Sequence, residues 1–303
     1  MTLYLDDAAV RRLLRLQDLL TGMRRVLVDL SAGKVIQPLR TVMEIPAEHG
    51  FLFIKPALTQ DALATKLITL VPGNAARGLP TLLATIVLMD PATGQPLAVM
   101  DGTWITALRT AAVSAVAADE LSPTGPKIVA LLGSGALARS HALALRAVRP
   151  VTQIRVWSRD PANVARCAAE VGGVACASAE AAVRGADIVC TVTNASEPVL
   201  RGAWLKPGAF VAAVGAPRPN WRELDDTAMA NVLVVDSRES AKHESGDVIL
   251  SGAKLGVEIG EILGGTQPRP ATGATVVFKS LGQAVEDAHA ARLVYDAAIA
   301  EQR

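Results

Sequence analysis

Gly133-Ser134-Gly135-Ala136-Leu137-Ala138 follows directly on the apolar run Lys127-Ile128-Val129-Ala130-Leu131-Leu132 and leads into a helical pattern. A strand, a Gly-x-Gly-x-x-Ala turn and a helix in that order make a cradle for a dinucleotide pyrophosphate. Gly133 allows the tight turn, Gly135 lets backbone amides approach the phosphates, and Ala138 lets the helix pack close on the strand. The helix N-terminus adds a positive pole. The next strand pattern ends in Val156-Trp157-Ser158-Arg159, where an acid would bind a ribose 2′-hydroxyl. Ser158 and Arg159 offer donors to a 2′-phosphate instead, so NADP(H) is the expected cofactor. NAD(H) is the alternative if Asp160 takes the ribose.

Those residues need a frame to hold them. From 122 to 280, β-like runs (Ile128 to Leu132, Ile154 to Trp157, Ile188 to Val192, Phe210 to Val214, Leu233 to Asp236) alternate with helical patterns, the rhythm of a Rossmann, doubly wound parallel sheet. The breakers Ser122-Pro123-Thr124-Gly125-Pro126 mark its start. Before them, helical periodicity up to Gly33 gives way to five short β-like runs between Thr41 and Met100, then to an Ala-rich helix from about Trp104 to Leu121. This part reads as a mixed α+β domain, onto which the helix Leu281 to Ala300 folds back. The expected domains are therefore 1–121 with 281–303, and 122–280.

With 303 residues and half of them apolar, the chain can fill two cores without staples. Thirty basic residues against 29 acidic give a net charge of +1, and aromatics are 3%, which argues against nucleic acid as a partner. Cys167, Cys176 and Cys190 and the four histidines show no metal-ligand spacing. The acidic start Asp6-Asp7 and the lack of a long uncharged apolar run predict a soluble, cytoplasmic protein with no membrane span.

Several stretches resemble the ornithine cyclodeaminase/mu-crystallin family: Gly33 to Arg40, Thr65-Lys66-Leu67, Ala98 to Gly102, Thr106 to Ala112, the glycine turn, Glu244-Ser245-Gly246-Asp247 and Val277 to Gly282. The run Ala213-Val214-Gly215-Ala216-Pro217-Arg218-Pro219-Asn220-Trp221-Arg222-Glu223-Leu224-Asp225-Asp226 is most similar to the ketimine-reductase branch. The resemblance implies a substrate-binding and dimerisation domain beside a Rossmann domain, a homodimer, and action on imines of amino acids. It gives Arg40, Lys66 and Arg109 as holders of the substrate carboxylate. It gives Thr110, Thr193, Val214, Gly215 and Ser280 as cofactor-side residues, with Glu244 facing the site or solvent.

A guanidinium suits a carboxylate, and an ammonium can also give a proton, so Lys66 is the expected proton source. Ornithine cyclisation needs acids that assist amine deprotonation and ammonia loss. Where the resemblance places them, this chain has Phe53-Ile54-Lys55-Pro56 and Pro217. The expected activity is therefore reduction of a cyclic ketimine such as Δ1-pyrroline-2-carboxylate or Δ1-piperideine-2-carboxylate by NAD(P)H. The alternatives are cyclodeamination of ornithine with bound NAD, reductive amination of open-chain 2-oxo acids, and a non-catalytic protein that holds NADPH and a small carboxylate.

Overall fold

Asp6 accepts a hydrogen bond from the Ala9 amide and starts α1 (Asp7–Leu13). This helix lies between the short strand β1 (Leu3–Leu5) and α2 (Leu16–Ser31), past which Gly33 turns the chain at φ 67°. The computed structural model describes residues 2–302; Met1 and Arg303, which fall in the expected domain spans, lie outside the described residues. Next come β2 (Thr41–Ile45), β3 (Gly50–Leu58), β4 (Leu63–Leu70), β5 (Leu82–Met89), β6 (Pro96–Asp101) and α3 (Thr103–Leu121). The strands form one mixed sheet in the order β1-β6-β5-β4-β3-β2, antiparallel except where β1 joins β6.

After α3 come β7 (Lys127–Leu132), α4 (Ala136–Val148), β8 (Val151–Trp157), α5 (Pro161–Glu170), β9 (Val174–Ala175), α6 (Ala179–Val183), β10 (Ile188–Thr191) and β11 (Phe210–Ala213). Then follow α7 (Asp226–Met229), β12 (Val232–Val235), α8 (Arg238–Glu244), α9 (Gly246–Ser251), β13 (Val257–Glu258), α10 (Ile259–Leu263), β14 (Val276–Lys279) and α11 (Ala284–Glu301). The second sheet is parallel throughout, in the order β13-β12-β14-β11-β10-β7-β8-β9. Its central strands β10, β11 and β14 are buried throughout and apolar apart from Thr191 and Lys279, as a sheet covered on both faces requires. The fold class is the α/β arrangement expected.

The chain divides into one unit running up to Arg109 and resuming at Gln283, and another spanning Thr110–Gly282. The sequence reading placed the first division at 121/122, behind the Pro and Gly cluster. The structure places it inside α3, because a continuous helix serves both units. The second division falls at 282/283 rather than 280/281. In the first unit α11 covers the sheet, contacting α2, β3 and β4 most. Four strands escaped the sequence reading: β1, only three residues long, β9 and β13, two residues each at the edges of their sheet, and β14, whose four residues sit between β11 and β12. Among the described residues no helix is long and apolar enough to cross a membrane, and no group of three or more His, Cys, Asp or Glu could hold a metal.

Candidate active site

In the parallel sheet, β7 has β8 on one side and β10 on the other, so the strand order reverses beside β7, where sheets of this kind bind ligands at the carboxyl ends of their strands. Gly133 occupies that end with φ 128°, and a Cβ there would lie 2.7 Å from the Val192 carbonyl. Only glycine fits. Gly135 begins α4 without a side-chain cap and has no atom within 4 Å of a built Cβ, so the amides of Ala136 and Leu137 face an open approach, while the Ala138 amide donates to the Gly135 carbonyl (3.2 Å). This geometry fits a dinucleotide pyrophosphate.

Ser158 Oγ lies 2.8 Å from Ser134 Oγ, joining the end of β8 to the glycine turn. Arg159 is exposed. Asp160 caps α5, accepting from the Ala162 and Asn163 amides and from Asn163 Nδ2, so its carboxylate is engaged locally. The other cofactor-side candidates follow the neighbouring strands: Thr193 after β10, Val214 and Gly215 after β11, Ser280 after β14. Thr110 is buried on α3, and Glu244 closes α8 half-buried.

A buried polar network fixes those strand ends. Glu223 Oε1 accepts from the Thr193 amide (2.7 Å) and Oγ1 (2.6 Å), and Oε2 accepts from Thr191 Oγ1 (2.7 Å). Lys279 Nζ donates to the Gly215 carbonyl (2.5 Å) and Asp247 Oδ2 (2.9 Å), while Asp247 Oδ1 accepts from the Glu223 and Leu224 amides. Asp236 Oδ2 accepts from Ser280 Oγ and from the Leu281 and Gly282 amides. Burial pushes the Glu223 carboxyl up to about 7 against the opposing pull of Lys279, with Asp247 adding to the rise. Gly215 has no room for a side chain, since a Cβ would come 2.3 Å from the Thr193 carbonyl.

The first unit holds the cationic candidates. The Thr59–Ala62 turn, closed by Thr59 N to Ala62 O (2.8 Å) and Ala62 N to Thr59 Oγ1 (3.0 Å), sets the register of β3 on β4. That register puts Lys55 directly opposite Lys66, and Lys66 opposite Ile86. Lys66 Nζ lies 2.5 Å from Asp287 Oδ1 and donates to Thr106 Oγ1 (3.2 Å). Arg109 donates through Nε to Asp287 Oδ1 and through Nη1 to Glu286 Oε2, each at 2.8 Å. Its Nη2 makes no hydrogen bond among the described residues. Lys55 Nζ stands 4.0 Å from Asp287 Oδ2. Arg40, half-buried, holds its guanidinium 5.9 Å from the centre of the Phe53 ring. Phe53 packs with Ile68 and Ala84.

Burial pushes the Asp287 carboxyl upward, but Arg109, Lys66 and Lys55 outweigh it and hold it down at about 2. Burial, reinforced by Arg109, drives the Lys66 ammonium well below its ordinary range despite Asp287. The structure thus brings Lys66 and Arg109 together through one carboxylate, and places Arg40 by Phe53. It adds three residues that the sequence reading missed: Lys55, Glu286 and Asp287. Alternation along Phe53-Ile54-Lys55 puts Lys55 on the buried face, and two adjacent acids interrupt the Ala-rich helix, so both signals were present. Two of the three guanidinium nitrogens of Arg109, expected to hold a substrate carboxylate, already bind acids of α11.

A sequence model of the ornithine cyclodeaminase/mu-crystallin family matches residues 2–302. Ketimine reductase mu-crystallin of Mus musculus is 49% identical over 269 residues, 87% of this chain and 86% of the mouse chain. The structure of Thermococcus litoralis Δ1-pyrroline-2-carboxylate reductase in complex with NADH and L-proline superposes with a TM-score of 0.94 at 35% identity, covering 99% of this chain and 98% of that one. An archaeal alanine dehydrogenase dimer with bound NAD gives 0.92 at 30% identity, covering 100% and 97%.

Asp287→Asn removes the charge that compensates two buried cations, so stability should fall by about 3–5 kcal/mol. Because the carboxyl is depressed in the folded state, its contribution is present above the ordinary Asp range and is lost as pH drops toward about 2. Urea denaturation of wild type and variant at neutral pH and at about pH 3 checks this; a loss under about 1 kcal/mol at neutral pH refutes it.

Proposed function

The chain belongs to the ornithine cyclodeaminase/mu-crystallin family and is an NAD(P)H-dependent oxidoreductase, and from that premise we propose that it reduces cyclic ketimines of the Δ1-pyrroline-2-carboxylate and Δ1-piperideine-2-carboxylate type to the cyclic amino acids. The observation that carries this reading is the buried cationic cluster of Lys66 and Arg109, with Nη2 of Arg109 left to meet a carboxylate. An anion is what such a cluster binds, and Glu286 and Asp287 hold both cations in place before it arrives. Arg40 supplies a third, half-exposed cation. A nicotinamide dinucleotide supplies the hydride when bound. Gly133, Gly135 and the first amides of α4 would hold its pyrophosphate, and the Glu223–Lys279 network would fix the strand ends that carry Thr193, Gly215 and Ser280.

Cyclodeamination is disfavoured by the same residues. Phe53 lies in an apolar cluster and Pro217 carries no proton, so neither supplies the acid–base group that ammonia loss requires. Purified protein should therefore oxidise NAD(P)H with Δ1-pyrroline-2-carboxylate and release no ammonia from ornithine. Proline and ammonia formed in equal amounts from ornithine, with no net change in nicotinamide, would reverse the assignment.

NADPH preference rests on Arg159, exposed beyond β8, and on the engagement of Asp160 in capping. Arg159→Ala should weaken NADPH about 10- to 100-fold, the value of a charge-assisted contact, and leave NADH nearly unchanged. Equal losses for both cofactors would remove Arg159 from the phosphate.

A homodimer is part of the proposal. On the sheet face away from Lys55 and Lys66, Tyr4, Met43, Leu67 and Leu83 are exposed, an apolar surface that a second copy would cover. The alanine dehydrogenase of similar fold is a dimer. Light scattering at micromolar concentration should give twice the 31.6 kDa chain mass; a single chain mass would refute it.

A further inference from the structure

Arg139 stands one turn into α4 and bends its guanidinium back toward the N-terminus of that helix. Nη1 donates to the Ser134 carbonyl (2.7 Å) and to the Gly135 carbonyl (3.0 Å), while Nε binds Glu170 at the end of α5. A cation is disfavoured at the positive end of a helix. Here α4 has no acid in its first turn and no side-chain cap that would draw one in. The pair with Glu170 accounts for the charge, but it engages Nε and leaves the two carbonyl bonds of Nη1 unexplained.

Those bonds act on the part of the glycine turn with the least other restraint. Gly133 is fixed by its amide on the Trp157 carbonyl (2.7 Å) and by contact with Val192. Ser134 is joined through its hydroxyl to Ser158. Gly135 is exposed, has open space around it and carries the backbone freedom of a residue without Cβ. Its carbonyl accepts from the Ala138 amide at 3.2 Å, but its own amide and that of Ala136 donate to nothing among the described residues.

The peptide bonds of the turn are trans, so each carbonyl and the amide that follows it point in opposite directions across one plane. Fixing the Ser134 carbonyl on Arg139 therefore fixes the Gly135 N–H on the far side. Fixing the Gly135 carbonyl does the same for the Ala136 N–H. One side chain thus sets the aim of two free donors at the end of β7. We propose, on the NAD(P)H dependence stated above and whatever substrate is reduced, that Arg139 is a positioning residue for the dinucleotide: by clasping the Ser134 and Gly135 carbonyls it holds the Gly135 and Ala136 amides toward the pyrophosphate before the cofactor arrives. Donors already aimed need no reorganisation when an anion binds. Glu170 has a separate part. Its carboxylate neutralises the guanidinium, so Arg139 contributes orientation rather than an added positive charge.

The test is direct titration of NADPH and NADH, followed by nicotinamide fluorescence, into wild type, Arg139→Met and Glu170→Gln at about 0.05 M and about 0.5 M salt, with melting temperatures. The pyrophosphate is common to both dinucleotides. Arg139→Met should therefore weaken the two alike, by about 10- to 100-fold, the loss expected when two charge-assisted hydrogen bonds are misaligned. The ratio of variant to wild type should be the same at both salt concentrations, because screening does not restore a misaimed amide. Glu170→Gln breaks the pair between α4 and α5 but spares both carbonyl bonds, so it should bind both cofactors within about threefold of wild type. The titration end point gives the fraction of protein able to bind, which separates affinity from loss of fold.

Wild-type affinity in Arg139→Met would overturn the assignment, and a lower binding fraction or melting temperature at that affinity would make the role structural. So would a loss confined to NADPH, which makes Arg139 a ligand of the 2′-phosphate, or a loss that fades at high salt, which makes it a charge acting at a distance. An equal loss in Glu170→Gln would overturn it too, since the α4–α5 pair is then the cause. Failure of the wild type to bind either dinucleotide would instead remove the cofactor reading, and this assignment with it.

Discussion

One carboxylate does most to make the first unit's site sustainable. Asp287, buried on α11, lies within ion-pair distance of Lys55, Lys66 and Arg109, and its neighbour Glu286 takes a second nitrogen of Arg109. Three cations in an apolar setting would otherwise lose their charge or unfold the unit. Since α11 also contributes apolar residues to the face it covers, the helix that fills the core is the one that neutralises the site. Packing and electrostatics are thus coupled through a single element: a shift of α11 large enough to disturb the core would also displace the acids from Lys66 and Arg109.

In the second unit the corresponding constraint is the satisfaction of polar groups at the carboxyl ends of the parallel strands. Loops there must stay open to a ligand and yet be fixed in place. Glu223, Asp247 and Lys279 meet both demands by bonding backbone from beneath, at Thr193, Gly215, Glu223 and Leu224. Buried networks of this kind are stable only when each member has partners. The run Pro219 to Asp226, so specific in sequence, is therefore explained in part by structure: Glu223 binds Thr191 and Thr193 at the end of β10, and Asp225 caps α7 and binds the Gly202 amide.

Much of this was legible from residue order because local rules decide it. The Gly133 turn is dictated by φ and by contact with Val192, and the strand–helix alternation by burial of both sheet faces. β14 was not legible as a strand, since four residues inserted between β11 and β12 carry no periodicity to distinguish them. The acids of α11 were not recognised as partners of Arg109 for a different reason: ion pairs across 177 or 178 residues are set by tertiary packing, which spacing in sequence does not encode. Lys55 illustrates a third case. Its side of the strand followed from alternation, but its meeting with Lys66 required the hairpin register.

The position of α11 behind the whole of the second unit bears on how the protein is made. Synthesis delivers the six strands of the first sheet before any of the second unit, yet the helix that covers those strands and neutralises Lys66 and Arg109 is delivered only after the second unit. The second unit likewise lacks β14, an interior strand of its sheet, until residue 279 has been added. A nascent chain thus holds an exposed apolar sheet with uncompensated lysines while an entire second domain is being translated. Its earliest unit is the last to close, and the interval favours engagement by chaperones that shelter apolar surface on the growing polypeptide.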